Sequence, residues 1–505
     1  MSRTILTRAC AALITLTAAA CATREAEIAP GAEPAALSEW GAHLAADARA
    51  MHQQISDNHP GAADPFNPGF AAINDAALAR ALTHAPQAET MAGWWWGLRE
   101  YAAAFDDAHL EIFLKDQSFS FPQEWAGFLT TWRAGEFVVG VRDESAVDAP
   151  PVGARLVSCD GVEAQAFAAD RVGRFRGRWE MDAQKLTQAP WLFRDTGNPW
   201  AAKPQECVFE SGGEAQAYRI NWYPLTISEL GEKLDAIRPP VRIDVYLKAQ
   251  SDGGYWIALP DFTGNPDATL YPKLSALMDE IAAKQADLRA APYVVLDLRD
   301  NGGGSSRWSQ IVAESLWGEA WIAAHPVPAS TSVDWRASPA NLEALEPYVE
   351  QFREAGDPVM IEWIEQVVGG IRGAIEAGEP YWVDVNDEAQ EAKSEAGAPP
   401  QSLMSGKVFV LTDAACFSAC LDAVDLWKSA GGIQIGQVTG ADTVYIENRE
   451  AELASGFAGL ALSMKVYRGR SRGNNEPQVP AIVYPDNIGD DTAVEAWVSN
   501  LAKGT

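Results

Sequence analysis

A serine stands where the pattern of residues predicts that a strand turns into a helix. Residues 407–412 (KVFVLT) form a short apolar, β-branched run that is typical of a buried strand. After Ser418 the apolar residues Leu421, Val424 and Trp427 recur at helical spacing. Backbone N–H groups at a helix start have no partners within the helix, so a serine hydroxyl there lies beside donors that can stabilise an oxyanion. Serine is also a preferred N-cap residue, and this segment alone does not separate the two roles.

A run of three glycines follows another predicted strand. Residues 293–298 (YVVLDL) form a continuous apolar strand of the kind that is buried on both faces, and Gly302, Gly303 and Gly304 follow shortly after it. The run is not a Walker A loop, since no Lys-Ser or Lys-Thr follows, and it is not a G-x-G-x-x-G fingerprint. A glycine loop lets the backbone approach a reacting carbonyl, which a second oxyanion donor requires.

A serine nucleophile also needs a base, and histidine is the most frequent one. None of the six histidines follows Ser418, which excludes the Ser…Asp…His order of the α/β-hydrolases. His109 ends a predicted helix beside Asp106 and Asp107, whose carboxylates can orient an imidazole or raise its pKa. His109 is therefore the candidate base, and a purely structural histidine is the alternative.

Three motifs together resemble one family. Residues 295–304 (VLDLRDNGGG) look like an apolar strand that ends in a glycine motif, and residues 410–419 (VLTDAACFSA) look like a nucleophile turn. Residues 153–161 (GARLVSCDG) look like the core of a PDZ module. The chain resembles the tail-specific, or carboxyl-terminal processing, family of serine peptidases over roughly residues 95 to 490.

One departure from that family concerns the base. Members with a Ser–Lys dyad carry the lysine in a glycine-containing turn after the serine, but the corresponding turn here, residues 439–443 (TGADT), has none. The nearer lysines are Lys428 and Lys465. A branch of the family that resembles the tricorn core uses His, Ser and Glu instead, and the order His109…Ser418…Glu476 is similar to that branch.

The resemblance implies a role for each of these residues. His109 would take the proton of Ser418 and return it to the leaving amine. Glu476 would orient His109, with Asp107 and Asp442 as substitutes for it.

The resemblance also implies an oxyanion hole. Its donors would be the N–H groups of Ala419 and Gly303, with Gly302 as an alternative to Gly303. We expect no cofactor and no metal, because no histidine or further cysteine lies at ligand spacing from the cysteines.

Several domains must position these residues, and we predict a multidomain α/β protein. Its parts are an N-terminal helical domain, a PDZ-like β domain and an α/β catalytic domain that the resemblance makes crotonase- or ClpP-like. The predicted bounds are 1–21 for a signal peptide, 22–37 for a linker, 38–115 for the helical domain, 116–235 for the PDZ-like domain, and 236–505 for the catalytic domain, with a helical insertion at about 341–400.

The first residues are typical of an export signal. Arg3 and Arg8 precede the apolar run 9–20, which is too short to span a bilayer. The small residues before Cys21 resemble a bacterial lipoprotein signal, in which Cys21 is lipidated; ordinary cleavage near Ala20 or Ala22 is the alternative. Either way we expect export to the periplasm or the cell envelope of a bacterium.

Export to an oxidising compartment permits disulfides among the four cysteines that remain. Cys159 and Cys207 lie in one predicted domain, and we predict a bridge between them. Cys416 and Cys420 flank Ser418, and the sequence leaves open whether they form a local bridge or two buried thiols.

The net charge makes nucleic-acid binding an unfavourable interpretation, and two candidate functions remain. A net charge of −30 argues against nucleic-acid partners, and we expect a membrane contact only through the N-terminal lipid. The first function is an exported serine endopeptidase that hydrolyses unfolded or C-terminal protein segments through a Ser–His(–Glu) mechanism, with polypeptides as its substrates. The alternative is an inactive relative that binds peptides or apolar ligands.

Overall fold

The computed structural model describes residues 37–115, 118–146, 148–238, 244–328, 330–385 and 400–504. Within these ranges the unit Leu37–Thr505 is compact. The predicted signal peptide, its lipidation candidate Cys21 and the predicted linker up to residue 36 lie outside the described residues. No helix in the described part of the chain has the length and apolar character needed to cross a membrane.

The N-terminal region is helical, as predicted. Its helices are α1 (Glu39–Asn58), α2 (Phe70–His84) and α3 (Met91–Ala103). Ser38 and Thr90 cap α1 and α3, because each side chain accepts a backbone N–H of the first turn. The tryptophan-rich helix α3 buries Trp94 completely, and its indole donates to Asp47 at 2.7 Å.

A β-rich region follows. Its strands are β1 (Glu111–Leu114), β2 (Glu124–Trp125), β3 (Phe128–Arg133), β4 (Glu136–Arg142), β5 (Arg155–Cys159), β6 (Val162–Glu163), β7 (Arg194–Asp195), β8 (Glu206–Ser211), β9 (Glu214–Arg219) and β10 (Tyr223–Pro224). Its helices are α4 (Ala164–Ala168), α5 (Arg174–Arg176), α6 (Asp182–Gln188) and α7 (Ile227–Ile237).

Most of these strands form one antiparallel sheet in the order β3-β4-β5-β8-β9, with β6 paired to β5. Cys159 in β5 and Cys207 in β8 are register partners and form the predicted disulfide. A smaller sheet has the order β10-β2-β7. The PDZ-like identity of this region stays a prediction.

The remaining elements are those of an α/β region. The strands are β11 (Tyr246–Ala249), β12 (Tyr255–Ala258), β13 (Tyr293–Asp297), β14 (Ser332–Arg336), β15 (Tyr381–Val385), β16 (Lys407–Thr412), β17 (Ile433–Gly436), β18 (Tyr445–Glu452), β19 (Ala458–Arg468) and β20 (Ile482–Val483). The helices are α8 (Tyr271–Ala283), α9 (Gln285–Ala290), α10 (Arg307–Trp317), α11 (Glu319–Ala324), α12 (Pro339–Ala355), α13 (Pro358–Ala377), α14 (Ala419–Ser429) and α15 (Asp491–Lys503).

The central sheet has the order β11-β12-β13-β16-β17-β20 and is parallel except for β11. All five residues of β13 are buried, as its continuous apolar sequence predicts. Helices including α8, α10 and α14 cover one face, and α15 covers the other. The carboxyl ends of β13 and β16 are neighbours, which brings the glycine run to the nucleophile turn.

A second sheet, with the order β1-β19-β14-β15 and with β18 on β19, joins the helical region to the α/β region. In the predicted insertion at 341–400, the described residues up to 385 contain the helices α12 and α13. Its next segment is strand β15, in which Trp382 lies opposite Trp335 of β14. The aromatic and β-branched run 381–385 (YWVDV) favours a strand, and the Trp382 ring packs against Gly370 of α13.

Candidate active site

Ser418 lies in a tight turn between β16 and α14, and its backbone is strained. Its φ of 56° and ψ of −125° fall in a region that residues with a side chain rarely adopt. Such a conformation costs about 1–3 kcal/mol and persists only where the surroundings enforce it. Leu421 donates its N–H to the Ser418 carbonyl at 2.8 Å, and Phe417 donates to Asn301 at 3.3 Å, so bonds on both sides of the serine hold the turn.

The hydroxyl of Ser418 is not a helix cap. Ser418 occupies the N-cap position of α14, but its side chain makes no capping hydrogen bond. This removes the structural role that the sequence left open for a serine at this place. A strained serine whose hydroxyl is not used by the fold is what a nucleophile requires.

A disulfide brackets the same turn. Cys416 and Cys420, which the sequence left as either a bridge or two thiols, are bonded to each other across Ser418. The bridge closes a loop of a few residues around the serine, so it restrains the backbone at the strained position.

The glycine loop packs directly on the nucleophile turn. Gly303 has a φ of 100°, and a Cβ atom built on it would lie 2.6 Å from the Phe417 carbonyl oxygen and 2.8 Å from the Ser418 Cβ. Any side chain at this position would therefore collide with the turn. By contrast, a Cβ on Gly302 would meet nothing within 4 Å.

The donors for an oxyanion differ in part from those predicted. The N–H of Ala419, at the first position of α14, has no acceptor among the described residues, which is the state that an oxyanion donor needs. The N–H of Gly303 instead donates to Asn301 Oδ1 at 2.8 Å, so the structure does not leave it free. Gly302, the predicted alternative, has no acceptor for its N–H among the described residues and is the better second candidate.

His109 reaches the same place from the loop between α3 and β1. Its ring packs against that of Phe417, the neighbour of Ser418, with 4.8 Å between the ring centroids. No hydrogen bond joins His109 to Ser418 in the described structure. The imidazole lies instead beside Asp107 and the backbone carbonyl of Tyr445.

Asp107 is the carboxylate that accompanies His109. Its Oδ1 accepts the backbone N–H of His109 at 2.9 Å, and the same oxygen lies 3.9 Å from Nδ1 of the His109 ring. Both residues are only 8% exposed. Burial raises the pKa of Asp107 and lowers the pKa of His109, and the negative charge of Asp107 opposes part of the shift of His109. A lowered pKa keeps His109 neutral at pH 7, which is the form that accepts a proton.

A second histidine, His59, lies on the other side of Asp107. His59 is fully buried, and its Nδ1 accepts the N–H of Gly61 at 3.0 Å. The neutral ring must then carry its proton on Nε2, which lies 3.9 Å from Asp107 Oδ2. Burial lowers the pKa of His59 to about 3, so it stays neutral. Sequence analysis did not single out His59, because nothing in its spacing connects the end of α1 with Asp107.

Glu476 does not take the position that the resemblance implied. Its side chain is exposed, and its Oε2 accepts the N–H of Gly473 at 2.7 Å, so a local turn binds the carboxylate. Its loop still borders the site, because Asn475 Nδ2 donates to the Asp106 carbonyl at 2.7 Å. Of its two predicted substitutes, Asp107 is the one beside His109.

Asp442 and the lysines are engaged elsewhere. Asp442 is paired with Arg470 at 3.0 Å and with Arg472 at 3.3 Å. Lys465 contacts Glu447 at 3.0 Å. Burial works to lower the pKa of Lys465, but Glu447, Tyr467 and Asp422 together raise it. Lys428 donates to Gln478 at 2.7 Å. A lysine that stays charged cannot accept the serine proton, so His109 is the better base.

Residues 254–479 match the model of peptidase family S41. No curated protein sequence matches the chain significantly. Among solved structures, the chain is similar to mature CPAF, with a TM-score of 0.56 and 12% identity over 92% of this chain and 97% of that one. It is also similar to mature CPAF complexed with lactacystin, with a TM-score of 0.54 and 12% identity over 93% of this chain and 100% of that one. These similarities show that the two proteins share their fold well beyond the residues of the family match.

Proposed function

We propose that this chain, a serine-type peptidase of the tail-specific, or S41, family, is an exported endopeptidase that cleaves unfolded or C-terminal segments of proteins through Ser418 and His109. The observation that carries this proposal is the state of Ser418. The serine is strained, its hydroxyl caps no helix, and it adjoins the unpaired N–H of Ala419. The sequence resemblance to a branch that uses histidine, together with the lack of a lysine at the base position, supports His109 as the partner.

The chemistry is acyl transfer. Neutral His109 takes the Ser418 proton as the hydroxyl attacks the substrate carbonyl, and the resulting imidazolium is stabilised by Asp107. The N–H groups of Ala419 and Gly302 hold the oxyanion of the tetrahedral intermediate. His109 then protonates the leaving amine, and a water molecule hydrolyses the acyl-enzyme by the same steps in reverse.

We infer that the described structure corresponds to a state in which His109 has not yet engaged Ser418. The His109 ring lies against Phe417 and beside the Tyr445 carbonyl, so it must turn toward Ser418 before it can take the proton. Catalytic hydrogen bonds that are long or absent in an empty site often form only with substrate. We infer that a polypeptide in the cleft displaces the ring from Tyr445.

The N-terminal residues and the two disulfides support export. The N-terminal run resembles a lipoprotein signal, and both disulfides, Cys159–Cys207 and Cys416–Cys420, are stable in an oxidising compartment such as the periplasm. A PDZ-like role for the β-rich region would consist of pairing an extended substrate with a sheet edge; β9 is an edge strand with mostly exposed side chains.

A second function has one observation in its favour. Because Ser418 and His109 are not hydrogen-bonded, a peptide-binding protein without catalysis would have the same structure. The same assay separates the two functions.

The assay is cleavage of an unstructured protein by the chain that lacks residues 1–21, measured beside Ser418→Ala and His109→Ala. We expect the wild type to cleave and both variants to lose at least about a thousandfold in rate while they remain folded. A His109→Ala variant that cleaves at the wild-type rate would show that the base is elsewhere. A wild type that binds the substrate but never cleaves it would favour the binding function.

A further inference from the structure

One buried carboxylate joins the two loops that carry the oxyanion donors. Asp413 directly follows β16, and it is only 6% exposed. Its Oδ1 accepts the N–H of Ala415 in its own turn at 3.0 Å. Its Oδ2 accepts the N–H of Asp300, in the segment that leads into the glycine loop, at 3.2 Å. A single side chain therefore holds backbone groups of both loops.

Both contacts lie close to the groups that take part in the reaction. Ala415 precedes Ser418 by three residues, and Asp300 precedes Gly302 by two. Asp300 has a φ of 65°, which is uncommon for a residue with a side chain and is maintained by its surroundings. The hydrogen bond to Asp413 fixes the chain at this bend. A change in the Asp413 carboxylate would therefore move the N–H of Gly302 relative to Ser418.

A proton changes what the Asp413 carboxylate can hold. The loops are also joined by the N–H of Phe417, which donates to the Asn301 carbonyl at 3.3 Å, but both of these groups belong to the backbone and do not titrate. An ionised carboxylate accepts hydrogen bonds on both oxygens, whereas a protonated one carries a donor on one of them. Protonation of Asp413 therefore weakens either the bond to Ala415 or the bond to Asp300.

The surroundings of Asp413 favour a proton on its carboxyl group. Burial raises the pKa of Asp413 to about 6, and the two backbone N–H groups oppose part of that increase. The charges of Asp300 and Asp297 raise the pKa further. Asp297 is paired with Arg299 at 2.6 Å, and the charge of Arg238 acts on Asp300, so these two basic groups act on the neighbouring carboxylates. A buried carboxylate in such surroundings adds little to stability through its charge, and its two hydrogen bonds are its main contribution.

We propose that Asp413 is a positioning residue for the serine-peptidase reaction. Its ionised carboxylate holds the glycine loop and the nucleophile turn at the spacing that the oxyanion donors Gly302 and Ala419 require, and its protonation loosens that spacing. The proposal rests on the proposed function, since the oxyanion forms during acyl transfer. Misplacement of a reacting or stabilising group by about 1 Å costs about a hundredfold in rate, so a small movement of either loop is enough.

The test compares the rates at which diisopropyl fluorophosphate modifies Ser418 in the wild type and in Asp413→Asn, between about pH 5 and about pH 8. The variant imitates the protonated form at every pH, since its amide oxygen accepts one N–H and its NH₂ group accepts none. We expect the wild type to react about tenfold faster at the higher pH, less than the loss of a whole donor because the bond from Phe417 to Asn301 remains. At the lower pH the two rates should converge, because the wild type then carries the neutral carboxyl.

Asp143→Asn is the matched control. Asp143 Oδ1 also accepts the N–H of the residue two positions later, Ser145, at 2.9 Å, but this exposed turn follows β4 in the β-rich region. The loss of this carboxylate should leave the rate of modification unchanged at every pH. Melting temperature at about pH 8 is a second readout. It should be retained in Asp413→Asn, because the substitution removes a buried charge together with one hydrogen bond.

Hydrogen–deuterium exchange tests the positioning without any reaction at Ser418. At about pH 8 the amides of residues 299–305 and those of residues 413–419 should both exchange faster in Asp413→Asn than in the wild type. A carboxylate that only stabilised its own turn would change the second segment alone. Asp143→Asn should exchange like the wild type in both segments.

The outcomes are distinct. Equal rates of modification in the wild type and Asp413→Asn at the higher pH overturn the proposal, and so does a loss by the same factor at every pH or an unchanged exchange in residues 299–305. Rates that differ only at the lower pH would show that the lost charge acts on His109, which also overturns it. If exchange rises in both segments but the wild type is not modified at Ser418, the proposed peptidase function fails while the positioning of the loops by Asp413 stands. If the wild type is modified and Asp413→Asn behaves like it, the reverse holds.

Discussion

The two halves of the candidate site are held in place in different ways. The nucleophile half, which consists of the Ser418 turn and the glycine loop, sits on neighbouring strands of the central sheet and is restrained by a disulfide, backbone hydrogen bonds and a close contact at Gly303. The base half, which consists of His59, Asp107 and His109, sits on connecting loops. There His59 Nε2, Asp107 Oδ2 and His109 Nδ1 are buried without a hydrogen-bond partner among the described residues.

The difference indicates that one half is preformed and the other is adjustable. The strain at Ser418 is tolerated because the disulfide, the backbone hydrogen bonds of the turn and the close packing of Gly303 enforce it. The base half sits on loops, and His109 Nδ1 has no hydrogen bond to hold it, so the imidazole can turn when substrate binds.

The largest effect is expected in the preformed half. Gly303→Ala places a Cβ 2.6 Å from the Phe417 carbonyl and requires a residue with a side chain at a φ of 100°, so the turn must shift. A displaced oxyanion donor costs about a hundredfold to a thousandfold in kcat. Gly369→Ala in α13 is the control for the substitution itself, because a Cβ there also meets nothing within 4 Å, and it should retain most of the activity. Similar kinetics in the two variants would contradict the tight packing of the loop on the turn.

Removing the charge of the base half is expected to cost about a hundredfold in kcat/KM. In Asp107→Asn the negative charge that raises the pKa of His109 is lost while burial still lowers it, so the pKa of His109 falls further. Activity requires the neutral imidazole, and the acid limb of the pH profile should therefore move to lower pH as the rate falls. A limb that moves to higher pH, or does not move, would show that Asp107 does not act on the base.

Reduction of Cys416–Cys420 should loosen the preformed half. We expect about a tenfold loss of kcat, with KM less affected, because the backbone at Ser418 is no longer restrained on both sides. The double variant Cys416→Ala/Cys420→Ala should reproduce the loss, and Cys159→Ala/Cys207→Ala, which removes the distant bridge, should retain kcat. Full activity of the first double variant under reducing conditions would show that the bridge is not needed for the geometry of the serine.

The smallest effect concerns stability and the buried His59. Its folded pKa of about 3 lies below the usual value of 6.5, so the unfolded chain binds more protons between those values. The stability of the wild type should fall as the pH drops from 6.5 toward 3, and His59→Gln should lack that part of the decrease. Between pH 6.5 and 4.5 the free energy of unfolding of the variant should fall by about 2 kcal/mol less than that of the wild type, as measured by urea denaturation. Equal decreases would place the pKa of His59 near its usual value.

Some features of the two halves could be predicted from the sequence and others could not. Part of the site lies in contiguous segments whose hydrophobic pattern and turn residues can be read directly from the sequence. These segments are β13, β16, the glycine run and the serine turn. The hydrogen bonds of individual groups cannot be read from the sequence. The Gly303 N–H donates to Asn301 Oδ1, and Glu476 accepts the N–H of Gly473; the spacing of residues does not predict either local contact. His59 meets Asp107 only because α1 packs onto the sheet that contains β1, which is a tertiary contact between distant segments.

Covalent labelling tests, without knowledge of the substrate, whether His109 activates Ser418. The chain lacking residues 1–21 would be incubated with diisopropyl fluorophosphate, and the modified residue and the rate of modification would be determined by mass spectrometry. We expect modification at Ser418 in the wild type, none at this position in Ser418→Ala, and modification at least about a hundredfold slower in His109→Ala. An unmodified wild type, or a His109→Ala variant that reacts at the wild-type rate, would contradict this expectation.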